Sequence, residues 1–127
     1  MKFLSSKPEA VRQRRRCEEW ATQVALFKWA SYAHTQYPEL VLMFHIPNGG
    51  KRNLIEATRL KAAGVKAGVP DIFLPVQRKQ FGGLFLELKS AKGKSTINQS
   101  LWQNSLQNEG YVVAVCHDLD EIGRAHV

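Results

Sequence analysis

The sequence predicts an α/β domain, and three observations carry that prediction. Apolar residues recur at three- and four-residue intervals across residues 18–36, the spacing of a helix face. Four short apolar runs, at 40–46, 71–76, 84–90 and 111–116, have the length and the β-branched and aromatic content of strands. Cap and stop signals bracket further helices between those runs. The expected order is helix, strand, helix, two strands, helix, strand, helix. At 127 residues the chain is read as one domain, 1–127, with room for a single core and none for a separate recognition domain.

The opening segment, 1–16, carries Lys2, Lys7, Arg12, Arg14, Arg15 and Arg16 against Glu9 alone. It reads either as a solvated basic arm or as a clamp on phosphates that ignores sequence. In the first helix, Trp20, Val24 and Phe27, with Leu26, Trp29, Ala30 and Ala33, form a wide stripe expected to be buried, and Pro38 ends it. Glu19 and Gln23 stand one turn apart beside that stripe. Glu19 is either a surface glutamate or a carboxylate turned toward the core edge.

Residues 40–46 read as a buried strand closed by the turn Pro47-Asn48-Gly49-Gly50. Asn48, Lys51 and Arg52 in and after that turn would offer N–H groups and positive charge to a phosphate. Asn53 can cap the next helix, 54–63, with Glu56 at the third position and Gly64 as the stop. Runs 71–76 and 84–90, joined by a polar, glycine-ended interval, suit an antiparallel hairpin. Strand alternation puts Glu87 and Lys89 on one face and Leu86 and Leu88 on the other, and pairing brings Asp71 near Glu87.

A basic loop with Lys92 and Lys94 follows. Thr96 then caps a helix with Gln99 at the capping-box position, Leu101, Trp102 and Leu106 give it an apolar face, and Gly110 ends it. Residues 111–116 are an apolar strand, and 118–126 begin a last helix.

The chain has 18 Lys and Arg against 11 Asp and Glu, a net +7, which favours a polyanionic partner such as nucleic acid. With 44% apolar and 23% charged residues it is not a disordered composition. No apolar run is long enough to cross a membrane and no signal-peptide core opens the chain, so a cytoplasmic protein without membrane contact is expected. Cys17 and Cys116 lack zinc-binding spacing and read as reduced, packed thiols, and the four histidines are scattered.

Two carboxylates and a lysine on adjacent strands fit metal-dependent phosphodiester hydrolysis. That chemistry needs a divalent cation on hard oxygen ligands, a placed water, and positive charge at the attacked phosphate. Asp71 and Glu87 can supply ligands, the Leu88 carbonyl is a third, and Lys89 can orient the water or stabilise developing charge. Magnesium keeps much of its water shell and accepts such an incomplete protein site.

Val69-Pro70-Asp71, fifteen residues, then Glu87-Leu88-Lys89 on a neighbouring apolar strand resembles the PD-(D/E)xK nuclease superfamily. With Pro47-Asn48-Gly49-Gly50, the block from Gly64 to Asp71, the run Gly83 to Lys89 and Gln99-Ser100-Leu101-Trp102, the chain is similar to the VRR-NUC (virus-type replication-repair nuclease) family from about Glu19 to Glu121. The resemblance implies a restriction-endonuclease-like fold, a mixed sheet flanked by helices, with Mg²⁺- or Mn²⁺-dependent DNA cleavage. It implies a first-helix glutamate on the metal, matched by Glu19 with Glu18 as the competitor, and a catalytic glutamine, matched by Gln99, which the capping box also explains.

By the same resemblance, to stand-alone phage and bacterial members, the chain is expected to cut branched DNA, flaps or four-way junctions, as a homodimer. Asn48, Lys51, Arg52, Lys66, Lys92 and Lys94 are expected to contact the DNA. The rival is a non-catalytic nucleic-acid-binding protein on the same scaffold. The setting implied is a bacterial or phage-infected cell.

Overall fold

The computed structural model describes residues 8–47 and 53–125. Asn48, Lys51 and Arg52, with Met1 to Lys7 of the basic segment, lie outside the described residues. Helix α1 (Glu9–Ala33) starts well before the spacing predicted, so Arg12, Arg14, Arg15 and Arg16 are helical and not part of a frayed arm. Pro8, at φ −53°, suits the entry to a helix. Glu9 sits in the first turn, where a carboxylate complements the helix dipole, and pairs with Arg12 at 2.7 Å and Arg16 at 2.9 Å. Those two hydrogen-bonded guanidinium groups hold its carboxyl down to about 2.

The wide buried stripe expected on α1 is largely exposed. Only Leu26 and Ala30 are buried, whereas Trp20 is 67% exposed and Val24 and Trp29 nearly half. Length explains the difference: 25 helical residues span about 37 Å, and a five-residue strand about 17 Å. The sheet covers only part of the helix. Cys17, expected to be packed, is exposed for the same reason.

The buried strand expected at 40–46 is also corrected. Pro38 opens a 3₁₀ helix, Pro38–Leu42, and only Phe44–His45 pair as strand β1. Residues three apart eclipse in a 3₁₀ turn, which buries Leu40 and Met43 while Val41 and Leu42 face solvent.

Helix α2 (Leu54–Ala62) has the expected Asn53 cap, whose Oδ1 accepts from the Glu56 N–H at 2.7 Å. Strands β2 (Ile72–Leu74) and β3 (Leu84–Leu88) form the expected antiparallel hairpin. Helix α3 (Ile97–Asn108) crosses to β4 (Val112–Cys116), parallel to β3, and α4 (Leu119–Ala125) closes the described chain. The sheet is mixed, in the order β1-β2-β3-β4.

Leu86 and Leu88 of β3, with Ile72 and Leu74 of β2, meet Leu26 and Ala30 of α1 in the core. The alternate residues Phe73 and Phe85 stack at 4.2 Å, with Tyr111 edge-on to both. Along β3 that aromatic row ends at Glu87 and Lys89, and the site lies there.

Candidate active site

The β2–β3 register sets the site. Ile72 faces Leu86, so one step on, Asp71 faces Glu87. Ladder bonds alternate along an antiparallel pair, and the Lys89 N–H donates away from β2, to the Cys116 carbonyl of β4 at 2.9 Å. Glu87 shares that direction, so Asp71 and Glu87 are a pair without mutual ladder bonds, the kind whose side chains approach most closely.

The Leu88 N–H points the other way and donates to Asp71 Oδ2 at 2.8 Å. Its carbonyl faces the same edge, and its register partner is Pro70, which has no N–H to donate. The Val-Pro-Asp order therefore leaves a peptide oxygen without a ladder donor beside two carboxylates. Sequence reasoning named the Leu88 carbonyl but missed what Pro70 does for it.

Burial sets the electrostatics. Glu87 is 2% exposed and Lys89 8%. Burial, then the hydrogen-bonded contact and charge of Asp71, push the Glu87 carboxyl up to about 9, with Lys89 pulling against them. Glu87 Oε1 is buried without a hydrogen-bond partner.

Glu19 comes from α1, seven and eleven residues before the buried Leu26 and Ala30, and that spacing puts all three on one helix face. Its Oε2 accepts from the Ser90 N–H at 3.4 Å, and burial raises its carboxyl while Lys89 draws it down. Glu18 is exposed. Glu19→Gln is expected to weaken Mg²⁺ binding by about tenfold and Glu18→Gln to leave it unchanged, as read by calorimetric titration of the metal.

Two carboxylates in contact, an unpartnered carboxylate oxygen and a peptide carbonyl opposite a proline are hard oxygen donors that fit magnesium. Among the described residues, no three Asp, Glu, His or Cys side chains stand close enough to share one ion. The groups that could hold an ion are therefore Asp71 and Glu87 with the Leu88 carbonyl, and Glu19, whose carboxyl feels the charges of Lys89 and Asp71, stands beside them on α1. Magnesium is commonly held by one or two carboxylates and several waters, so the set suffices for it.

The sequence pattern of the VRR-NUC domain matches residues 8–118. The chain belongs to the VRR-NUC family. A solved structure described as a "VRR_NUC domain protein" superposes with a TM-score of 0.69 at 26% identity, over 82% of this chain and 80% of that one. No protein of curated function matches. The VRR-NUC family is one of nucleases, so the coarse function is DNA processing, and the match agrees with the α/β fold and mixed sheet. Among the described residues no helix is long and apolar enough to cross a membrane.

Elsewhere in the VRR-NUC domain, Gln99 completes the capping box. Its Oε1 accepts from the Thr96 N–H at 2.8 Å, and Thr96 Oγ1 accepts from the Gln99 N–H at 3.2 Å. Thr96→Ala is expected to cost about 1 kcal/mol of unfolding free energy, measured by urea titration.

Lys66, Lys92 and Lys94 are exposed. Lys92 and Lys94 flank Gly93, whose carbonyl meets His117 Nε2 at 3.0 Å, and His117 Nδ1 meets Glu121 Oε2 at 3.0 Å. The glutamate and then the carbonyl raise the His117 imidazole above its ordinary range. Sequence reasoning passed over His117 as a brace for this basic loop. The only signal was its one-turn spacing to Glu121.

Gly68 ties the Asp71 segment to α3. Its φ is +93°, and a Cβ there would lie 2.8 Å from the Asn98 carbonyl carbon. A residue with a side chain would push the segment off the first turn of α3.

Proposed function

We propose that this VRR-NUC protein is a Mg²⁺-dependent, structure-selective DNA endonuclease. It hydrolyses phosphodiester bonds in branched DNA, four-way junctions or flaps, and serves phage or bacterial replication, repair or recombination. The observation that carries the reading is the contact of Asp71 with the buried, partner-short Glu87, with Lys89 beside them. Two acidic groups in contact with an unpartnered oxygen have little purpose in a metal-free fold, because each disfavours the other's charge.

Asp71, Glu87 and the Leu88 carbonyl would hold the ion directly, and Glu19 through its water. Mg²⁺, with Mn²⁺ able to substitute, supplies charge neutralisation at the phosphate and a more acidic water. Lys89, almost fully buried, gives the non-bridging phosphate oxygens a fixed positive charge, or orients the water, where a low local dielectric strengthens both interactions. Cleavage leaves a 5′-phosphate. Gln99 is kept as a candidate catalytic group through its amide nitrogen, since its oxygen is engaged in the cap.

Asn48, Lys51, Arg52, Lys66, Lys92 and Lys94 contact the phosphates of the DNA, so binding weakens as salt rises. The protein works as a homodimer, which gives two strands two active sites. The outward-facing Trp20 and Val24, one turn apart on α1, support an interface there.

The test is cutting of four-way junction, flap and linear duplex DNA with Mg²⁺, Mn²⁺ or EDTA, beside Glu87→Ala. Metal-dependent cutting of branched substrates, absent in the variant, is expected. Cutting preserved in Glu87→Ala overturns the site. Equal cutting of all three substrates removes the selectivity and keeps the nuclease, and binding without cutting by the unaltered protein means a non-catalytic adaptor.

A further inference from the structure

Helix α2 reverses the usual arrangement of apolar and polar faces. None of its residues is buried, and two of its three large apolar side chains, Leu54 and Ile55, are 82% and 75% exposed. Leu60 is the half-buried residue that turns toward the protein. At about 100° per residue, Leu54 and Ile55 straddle the direction opposite Leu60, and Thr58 and Ala62 continue that outward strip. The Thr58 hydroxyl donates to the Leu54 carbonyl at 2.8 Å and so is committed to the helix backbone.

The outward strip is therefore apolar, and Lys61 and Arg59 border it on its two sides. Residues 53–66 hold Arg59, Lys61 and Lys66 against Glu56, a local positive excess within a chain of net +7. An apolar tip between two cations suits a polyanion that exposes an apolar face at one point. Duplex DNA does so where its stacking is interrupted, as at the last base pair beside a branch.

The helix is also connected to the site. It ends at Ala62, Gly64 at φ +107° turns the chain just beyond, and the chain then runs through Gly68, seated on the first turn of α3, to Asp71. A body lodged at a branch would thus stand at a set reach from the carboxylates.

We propose that α2 is a wedge: Leu54 and Ile55 pack against the terminal base pair at a DNA branch while Arg59 and Lys61 grip the flanking phosphates. This rests on the nuclease reading and assigns the choice of DNA structure to a particular element. Apolar side chains placed against base steps are an established way to hold unstacked DNA, and their removal forfeits both burial and unstacking.

The test needs no cleavage. Four-way junction and flap DNA with 2-aminopurine at the branch, and linear duplex with it mid-strand, are titrated with protein in EDTA. The unaltered protein is expected to raise fluorescence severalfold on the branched DNAs alone. In Leu54→Ser/Ile55→Ser the rise disappears and branched affinity falls about tenfold, with an unchanged melting temperature because both residues are exposed. Arg59→Ala/Lys61→Ala keeps a fluorescence rise at saturation and shows a shallower dependence of affinity on salt.

No fluorescence rise with the unaltered protein, or an undiminished rise with the serine variant, overturns the wedge. So does a serine variant whose main change is a lower molar mass by light scattering, since a second copy then covers α2. A failed nuclease reading shows separately, as no Mg²⁺-dependent cutting by the unaltered protein.

Discussion

Glu87→Gln is expected to lower DNA cutting by about a thousandfold or more and, in the absence of metal, to make the protein less sensitive to alkaline unfolding. The first effect follows from the proposed role of Glu87 as a charged metal ligand, whose loss is worth several kcal/mol of transition-state stabilisation. The second follows from burial. The Glu87 carboxyl is raised from its ordinary 4.5 to about 9 in the folded, metal-free protein. Below about pH 4.5 the folded and unfolded chains both hold the proton, and its contribution to stability is fully present. As pH rises toward about 9, the unfolded chain has released the proton and the folded one still holds it, so stability declines, by about 1.4 kcal/mol per pH unit at its steepest. Above the folded value the contribution is gone.

Gln keeps the size and stays neutral, so this loss is removed. Melting in EDTA at pH 5 and pH 8.5 checks the expectation: the unaltered protein loses thermal stability across that interval and Glu87→Gln loses much less. At pH 8.5, Mg²⁺ should restore stability to the unaltered protein and do little for the variant. A flat pH profile for both proteins would sink the account of Glu87.

Gly68→Ala is expected to cost about 2–4 kcal/mol and to lower activity with it, because a positive φ and a backbone collision act together. The Cβ would lie 2.8 Å from the Asn98 carbonyl carbon and 2.9 Å from its oxygen, and neither can swing aside as a side chain can. Asp71 is three residues on, so any retreat of the segment is felt at the proposed metal site. Gly64→Ala is the control. Its φ of +107° carries a conformational penalty of about 1–2 kcal/mol, but the space around it is open and activity should persist. Urea titrations of the two variants, with cutting rates alongside, separate the strain they share from the contact that only Gly68 makes.

Much of this was legible in the sequence where the physics is local. The Thr96–Gln99 capping box, the Asn53 cap, the Gly64 and Gly110 stops and the β2–β3 hairpin each rest on a few neighbouring residues. The approach of Asp71 to Glu87 followed from strand alternation once the hairpin was assumed. The spacing of Glu19, Leu26 and Ala30 also favours Glu19 over Glu18.

What was not legible depends on distant partners. Whether Trp20 and Val24 are buried is decided by how far the sheet extends beneath α1, which their spacing does not encode. Residues 40–46 suit a short strand or a 3₁₀ turn equally by composition, and Pro38 decided for the turn. The brace from His117 to Gly93 joins residues 24 apart in sequence, beyond any local pattern.

The anchoring of α1 bears on how Glu19 is positioned. Its buried residues, Leu26 and Ala30, begin seven residues beyond Glu19, about 10 Å along the axis. The glutamate is thus carried on a cantilever. A tilt of about 5° about that anchor would displace its backbone by roughly 0.9 Å, the scale of misplacement that can cost about a hundredfold in rate. Leverage of this kind would let a load on the outer half of the helix, such as a partner resting on Trp20, trim the geometry of the proposed metal site without touching it.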